Sequence, residues 1–509
     1  MLNINKKVHL HFFMYIMIYF YINRVLRIGG IALEKENTRV MDLNVKSFVG
    51  ALVMLLILVV LTYVLTFVIT PGSYQREFVD GVETIVAGTY KAAEGGIPFW
   101  KWLLSPILVI GAEGGITIIA IVLFLLIIGG AFTALDCAGV MSYMLSRIYN
   151  SFENKRYKLL ALVTLFFMAL GSLVGSFEET VPLVAIAVAL SYSMGWDALV
   201  GLGMSLLAVG CGFTTGICNP FTVGVAQELA GLPMFSGISF RLLSFVVVYA
   251  MLLWFLMRYA KKIEKDPEKS LVYDKASTEK WSAMRVDFVQ DDKKDKALKV
   301  FCIILGGGII LILCSSFISV LQDIIMPVIG LIFLLAGTCS VLASGVGVKE
   351  YLGWFKKGMV SILPAVLLIL MASSIKYTLV EANVLDTILY KVVDFTESMS
   401  PVLVILIIYV LVLGMDLFIS SGSAKAFLLI PLIAPLADLS GISRQLTVLA
   451  YAYGDGFSNI FYPTNPVLLI SLGIVGVSYG KWAKWSIRIL APIFIVTAAI
   501  LVIGYKVGY

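Results

Sequence analysis

From Ser47 to Gln75 the chain carries no charged side chain, and comparable apolar runs recur as far as the C-terminus. About 20 apolar residues is the length at which a helix crosses roughly 30 Å of hydrocarbon. Only 14% of the 509 residues are charged and 60% are hydrophobic, against about 25% and 45–50% in soluble domains. The charges are also bunched, with 12 basic and nine acidic side chains between residues 258 and 299. Too little polar surface remains to wrap soluble cores. Inside lipid every backbone polar group must be satisfied internally, so the prediction is an all-α polytopic membrane protein.

The same composition excludes several chemistries. Histidine occurs only at His9 and His11, ahead of any apolar core, which argues against a Ser-His-Asp triad, a His-metal site or a His-ligated haem. Cys137, Cys211, Cys218, Cys302, Cys314 and Cys339 form no CxxC pair and read as small buried hydrophobes. The formal charge of +6 comes from basic residues flanking apolar segments. That is the pattern that orients membrane helices, and no nucleic acid partner is expected.

Residues 1–40 hold a short aromatic stretch, Phe12 to Ile22, between basic residues, without a small-residue cleavage site. They read as an extension of doubtful function upstream of Met41. Nine full spans follow, near 48–70, 115–145, 197–229, 238–260, 298–318, 324–343, 356–395, 443–475 and 482–507. Basic clusters at 147–158, 261–297, 349–357 and 481–488 then share one side, the inside, together with the N-terminus. The 71–101 loop has no basic excess and reads as external. Two further stretches, 157–194 and 399–438, fit only as re-entrant hairpins. Their tips are Gly175-Ser176-Phe177-Glu178-Glu179-Thr180 and Ser420-Ser421-Gly422-Ser423-Ala424-Lys425. Irregular backbone at that depth is tolerated only inside protein or beside a water-filled cavity.

A second feature follows each tip. Gly212-Phe213-Thr214-Thr215-Gly216-Ile217-Cys218-Asn219-Pro220 recurs in outline as Gly456-Phe457-Ser458-Asn459 leading to Pro463-Thr464-Asn465-Pro466. Gly, Pro and small hydroxyl residues break a helix and free its backbone groups. With an extra span before the second copy, the halves are inverted: residues 41–260 form the first repeat, 261–297 a charged cytoplasmic loop, and 298–509 a linker helix with the second repeat. Inverted halves with broken helices are the architecture of secondary transporters.

Intramembrane ionisable residues invite functional hypotheses. Glu178 and Glu179 lie at the first tip, Lys425 at the second and Asp455 before the second break. Adjacent carboxylates suit a proton carrier or cation ligand, while a structural alternative pairs one of them with Lys425. Asp136, Lys376, Glu381 and Asp416 are ambiguous, with Lys376 and Glu381 readable as an ion pair. Ser176, Thr180, Thr214, Thr215, Asn219, Ser421, Ser423, Ser458, Asn459, Thr464 and Asn465 supply neutral oxygens and amides for an ion or a carboxylate. Na+ is expected near Asn219 and Asn465, with H+ as the other candidate coupling ion, and no cofactor. None of the eleven arginines falls in the tips or breaks. That weakens a dicarboxylate substrate and favours an amino acid, including a basic one.

The segments GSFEETVPLVAIAVAL, LVGLGMSLLAVGCGFTTGICNPFTVGVAQELAGLP, APLADLSGISRQLTVLAYAYGDGFSN and YGKW resemble the YfcC-type family of basic amino-acid antiporters. That family is grouped with the C4-dicarboxylate anaerobic carrier-like proteins of the ion transporter superfamily. The resemblance runs from about Met41 to the C-terminus and implies a secondary carrier of the cytoplasmic cell membrane, not an enzyme. It also implies a homodimer with an elevator motion. Glu178-Glu179 matches the family's paired acidic residues, whereas Lys425 stands where a small or amide residue is expected. The expected function is ion-coupled symport or antiport of a small carboxylate-bearing solute, foremost an amino acid. A C4-dicarboxylate or short-chain fatty acid is the alternative, and a channel or intramembrane enzyme a remote one.

Overall fold

A computed structural model of the chain describes residues 45–79, 82–86, 88–112, 115–175, 177–273, 290–315, 325–396 and 399–509. The proposed N-terminal extension lies outside the described residues. The protein is an all-α polytopic membrane protein. Eight helices among the described residues are long and apolar enough to cross a membrane. Two of these, Arg156–Val174 and Gly422–Leu439, are arms of the two hairpins. The other six, with Asp292–Ser315, Ile325–Ala343 and the interrupted pair Arg444–Asn459 and Pro466–Val475, supply the nine expected passages.

The first passage, Val45–Val68, shows how such a helix is built. Ala51, Leu55 and Val59 are buried, while Val53, Ile57, Leu61 and Val64 are exposed. Residues four apart share a face, so one face meets protein. The opposite face is equally apolar, as a lipid-facing surface requires. The passage through residue 217 differs, because every residue from Ala198 to Ile217 is buried. This enclosed helix is the one that breaks, which satisfies the rule that irregular backbone needs protein around it.

Two span boundaries need correction. The apolar run 115–145 is not one helix: Gly115–Cys137 ends at Gly139 in the left-handed region (φ 70°), and Val140–Phe152 follows separately. The run 356–395 likewise divides into Val348–Glu381 and Leu385–Thr396, separated at Asn383 (φ 55°). Asn tolerates that conformation better than most side chains, a signal that hydropathy alone does not carry. Glu381 pairs with Lys101 from the 71–101 loop, which replaces the expected Lys376–Glu381 pair. Cys302 is exposed and Cys211 buried, so the cysteines are not uniformly core residues.

The 71–101 loop also forms two short antiparallel pairings, Gly72–Ser73 with Lys91–Ala92 and Arg76–Val79 with Val82–Ile85. It docks on Leu385–Thr396: Arg76 Nη2 lies 3.1 Å from Asp386 Oδ2, the Tyr74 amide donates to the same oxygen at 3.0 Å, and Tyr90 stacks on Tyr390 at 4.1 Å. At the other end of the helices, Tyr259 and Ser270 donate to Asp197 at 2.7 and 2.6 Å.

Candidate functional site

The first hairpin pairs Arg156–Ala169, extended by a π-helical turn Leu170–Val174, with Val181–Ser193. Its tip turns at Gly175 (φ +74°), where a Cβ would stand 2.2 Å from Asn219 Oδ1. Tip and break are therefore in contact. The hairpin also meets the broken helix backbone to backbone: a Cβ on Gly212 would lie 1.9 Å from the Met168 carbonyl oxygen, and one on Gly171 2.1 Å from that of Val209. Only glycine permits such an approach.

The first broken helix ends at Thr215, with Gly216 in the left-handed region (φ +39°), and restarts at Pro220. Asn219 caps the restart, accepting from the Phe221 and Thr222 amides at 3.0 and 3.3 Å. Asn at the cap followed by Pro at the first helical position is a favoured helix start. The second break repeats it: Asn465 accepts from the Val467 amide at 2.9 Å, ahead of Pro466–Val475. Ser421 caps the second hairpin's inner arm, Gly422–Leu439, through the Ala424 amide at 3.4 Å. The matched motifs of the two halves thus perform the same local task.

Side chains satisfy the groups these breaks free. Ser172 Oγ accepts from the Ile217 amide at 3.0 Å, and its carbonyl accepts from the Cys218 amide at 3.1 Å. Arg241, fully buried on Ile238–Lys265, donates from Nε to the Ile217 carbonyl at 3.3 Å and from Nη2 to that of Phe235 at 3.1 Å. In the second half Trp482 Nε1 donates to the Ile460 carbonyl at 2.8 Å and the Tyr479 hydroxyl to that of Phe461 at 2.9 Å.

Lys425 is fully buried and joins two aspartates. Its ammonium contacts Asp416 Oδ1 and lies 2.8 Å from Asp455 Oδ1. The pairing of Lys425 with Glu178 is therefore corrected: among the described residues its ion-pair partners come from its own half. Asp416, ambiguous from sequence, belongs to this cluster. A Cβ on Gly422 would stand 2.8 Å from Asp455 Oδ2 and 2.5 Å from Thr222 Cγ2. The second tip thus touches the restart of the first broken helix. The two broken helices cross where a Cβ on Gly456 would lie 2.3 Å from the Thr214 amide nitrogen.

The remaining predicted residues divide by what occupies their polar atoms. Thr180, Thr214, Thr215 and Ser458 donate to carbonyls of their own turns. Asn459 donates to the Asp455 carbonyl at 2.9 Å and accepts from Asn465 at 2.7 Å. Ser423 is half-buried, as is Glu178 in a short helical turn before Val181. The side chains of Ser176 and Glu179 lie outside the described residues. By contrast, Asn219 Nδ2, Thr222 Oγ1, Thr464 Oγ1, Arg241 Nη1 and Asp455 Oδ2 are buried without a hydrogen-bond partner among the described residues. Buried polar groups are rarely left so, which singles these atoms out.

Sequence reasoning missed Arg241 and Thr222 and left Asp416 ambiguous. Arg241 lies on a neighbouring helix outside the motifs, and only its charge in the first turns of an apolar span, four residues after Gly237, could have flagged it.

The model of the C4-dicarboxylate anaerobic carrier family matches residues 48–506. The chain belongs to that family. A protein of Escherichia coli (strain K12), "Putative basic amino acid antiporter YfcC", is 30% identical over 410 residues, 77% of this chain and 79% of its own. An uncharacterized protein of Haemophilus influenzae is 25% identical over 398 residues, covering 77% and 76%. Two solved structures align over 90% of this chain: Neisseria gonorrhoeae MtrF, described among antimetabolite efflux pumps (16% identity, 95% of its chain, TM-score 0.44), and the Alcanivorax borkumensis YdaH transporter (17%, 99%, 0.45). The C4-dicarboxylate anaerobic carrier family and its YfcC-type members make this chain a multi-pass membrane transporter of a small-molecule substrate.

Proposed function

We propose that the chain is an ion-coupled secondary carrier of an amino acid. The observation that carries this reading is the opposite sign of the uncompensated charge at the two breaks. At the first, Arg241 and Asn219 present the buried, unpartnered donors Nη1 and Nδ2, and no carboxylate pairs with Arg241 among the described residues. At the second, Asp416 and Asp455 outnumber Lys425 by one buried charge. Burying an isolated charge is expensive, so each site gains from a ligand group of opposite sign. A solute with both a carboxylate and an ammonium supplies the two. The name of the Escherichia coli relative adds a basic side chain as the preferred substrate form.

A C4-dicarboxylate is the second reading, and Arg241 is the observation in its favour. A guanidinium at the break restores the carboxylate partner that the tips and motifs lack. Na+ would be held by neutral oxygens around Asn219 and Asn465, where Thr222 and Thr464 keep hydroxyls without partners. In this scheme the halves are inverted, the N-terminus and the 261–297 loop are cytoplasmic, and a hairpin-bearing body moves against a scaffold. The carrier works as a homodimer in the cytoplasmic membrane.

Thermal-shift screening of the purified protein against amino acids and C4-dicarboxylates, in Na+ and in K+, tests the substrate class through ligand-induced stabilisation. Proteoliposome uptake of the stabilising solute should then collapse in R241A and D455N while both remain folded. Undiminished uptake in both variants would overturn the site, and stabilisation by dicarboxylates alone would select the second reading.

A further inference from the structure

The charge cluster of the second half has no counterpart in the first. On the register that matches Ser176 with Ser421, Asp416 and Lys425 correspond to Gly171 and Thr180; on the Gly212–Gly456 register, Asp455 corresponds to Cys211. At these matched positions one half therefore keeps a cation made by the chain itself and the other has none.

We propose that Lys425 is a tethered cation filling a site built for a monovalent alkali ion. Its ammonium sits between carboxylates delivered by two different segments, the turn after Pro401–Met415 and the helix Arg444–Asn459. All three residues are enclosed, with Lys425 and Asp455 fully buried. An ammonium and an alkali ion share charge and a demand for oxygen ligands, but the ammonium is held by four methylenes and cannot leave.

A second observation lies beside the cluster. Asp455 Oδ2 and Thr222 Oγ1 are buried oxygens without hydrogen-bond partners, and both residues press on Gly422. The cluster itself therefore has carboxylate oxygens, Asp455 Oδ2 and Asp416 Oδ2, that Lys425 leaves unused. Truncating the lysine leaves an ammonium-sized gap between two carboxylates that a free ion can enter. The consequence for coupling rests on the carrier reading above: this cluster would contribute no exchangeable ion, leaving the neutral oxygens around Asn219 and Asn465 as the coupling sites.

The test reads binding without any solute, so its failure is separable from failure of the carrier reading, which uptake reports. Purified wild type and K425A are melted in NaCl, KCl and choline chloride at equal ionic strength. K425A should gain a saturable shift of several degrees in Na+ or K+ over choline, beyond any shift in wild type, and K425A/D455N should lose that increment. Equal increments in K425A and wild type overturn the proposal. K425Q, which retains most of the stem, replaces K425A if the latter does not fold. Failure of both to fold in either alkali salt overturns the proposal too, because it requires the free ion to substitute for the ammonium.

Discussion

The two halves use the same sequence device at their breaks and differ in how they handle charge. In the first half, Asn219 caps a restart that is π-helical over Pro220–Gly224, and two more π turns lie at Leu170–Val174 and Gly203–Leu207. The neighbouring cation, Arg241, donates to the carbonyls of Ile217 and Phe235. In the second half the restart Pro466–Val475 is a regular α-helix, and the charge is locked into the Asp416–Lys425–Asp455 cluster. π turns recur at functional positions in helices because they widen the ladder and re-aim side chains. The lesson is a division of labour: the first half is irregular and carries open donors, the second is regular and nearly closed on itself.

The sharpest way to break this comparison is to substitute matched positions. Lys425→Met should cost about 3–5 kcal/mol in choline buffer, because it strands two buried carboxylates. Thr180→Val at the matched position should cost about 1 kcal/mol, the value of one hydrogen bond to its own turn. Equal melting temperatures for the two variants would dissolve the asymmetry.

Next in size is the crossing of the broken helices. Gly456→Ala drives a methyl to 2.3 Å from the Thr214 backbone nitrogen, and the expected loss is about 3 kcal/mol. A thermal melt in detergent checks it, and no change would mean the helices separate freely there.

Smaller effects sharpen the contrast between the two caps. Asn219→Ala and Asn465→Ala should each lose about 1 kcal/mol of stability, yet uptake should fall further in the first. The Asn219 amide nitrogen has no hydrogen-bond partner, whereas that of Asn465 is engaged by Asn459. Comparable uptake losses would place the two caps on the same footing.

The smallest effect is a control on charge itself. Lys269 and Asp266 form an exposed pair at 2.9 Å, and Lys269→Ala should leave the melting temperature nearly unchanged. A loss as large as that of Lys425→Met would show that burial is not what gives the cluster its weight.

The nine passages, the two hairpins and the paired Asn-Pro motifs were legible in the sequence because each rests on local chemistry: run length, helix breakers and capping residues. Boundaries inside long apolar runs were not, since Gly139 and Asn383 end helices through backbone conformation without a change in hydropathy. Glu178, Glu179, Lys425 and Asp455 stood out as rare charges in apolar surroundings. The partnership of Lys425 with Asp416 was hidden because a nine-residue separation across a turn matches no helical spacing. Arg241 was passed over because its relation to Ile217 spans 24 positions and two helices. Tertiary contact, not pattern, decides such pairs.

Broken helices invite comparison with hinges, yet each joint here is riveted. The amide and carbonyl of Ile217 are held by Ser172 and Arg241, and the carbonyls of Ile460 and Phe461 by Trp482 and Tyr479. A joint fastened to its neighbours cannot flex alone. In the proposed scheme, a moving body would take the Ile238–Lys265 and Tyr479–Val507 helices along with the interruptions they clamp. Slippage then belongs to seams that lack such fastenings, and the mechanical unit of this carrier is larger than the pair of hairpins that first draws the eye.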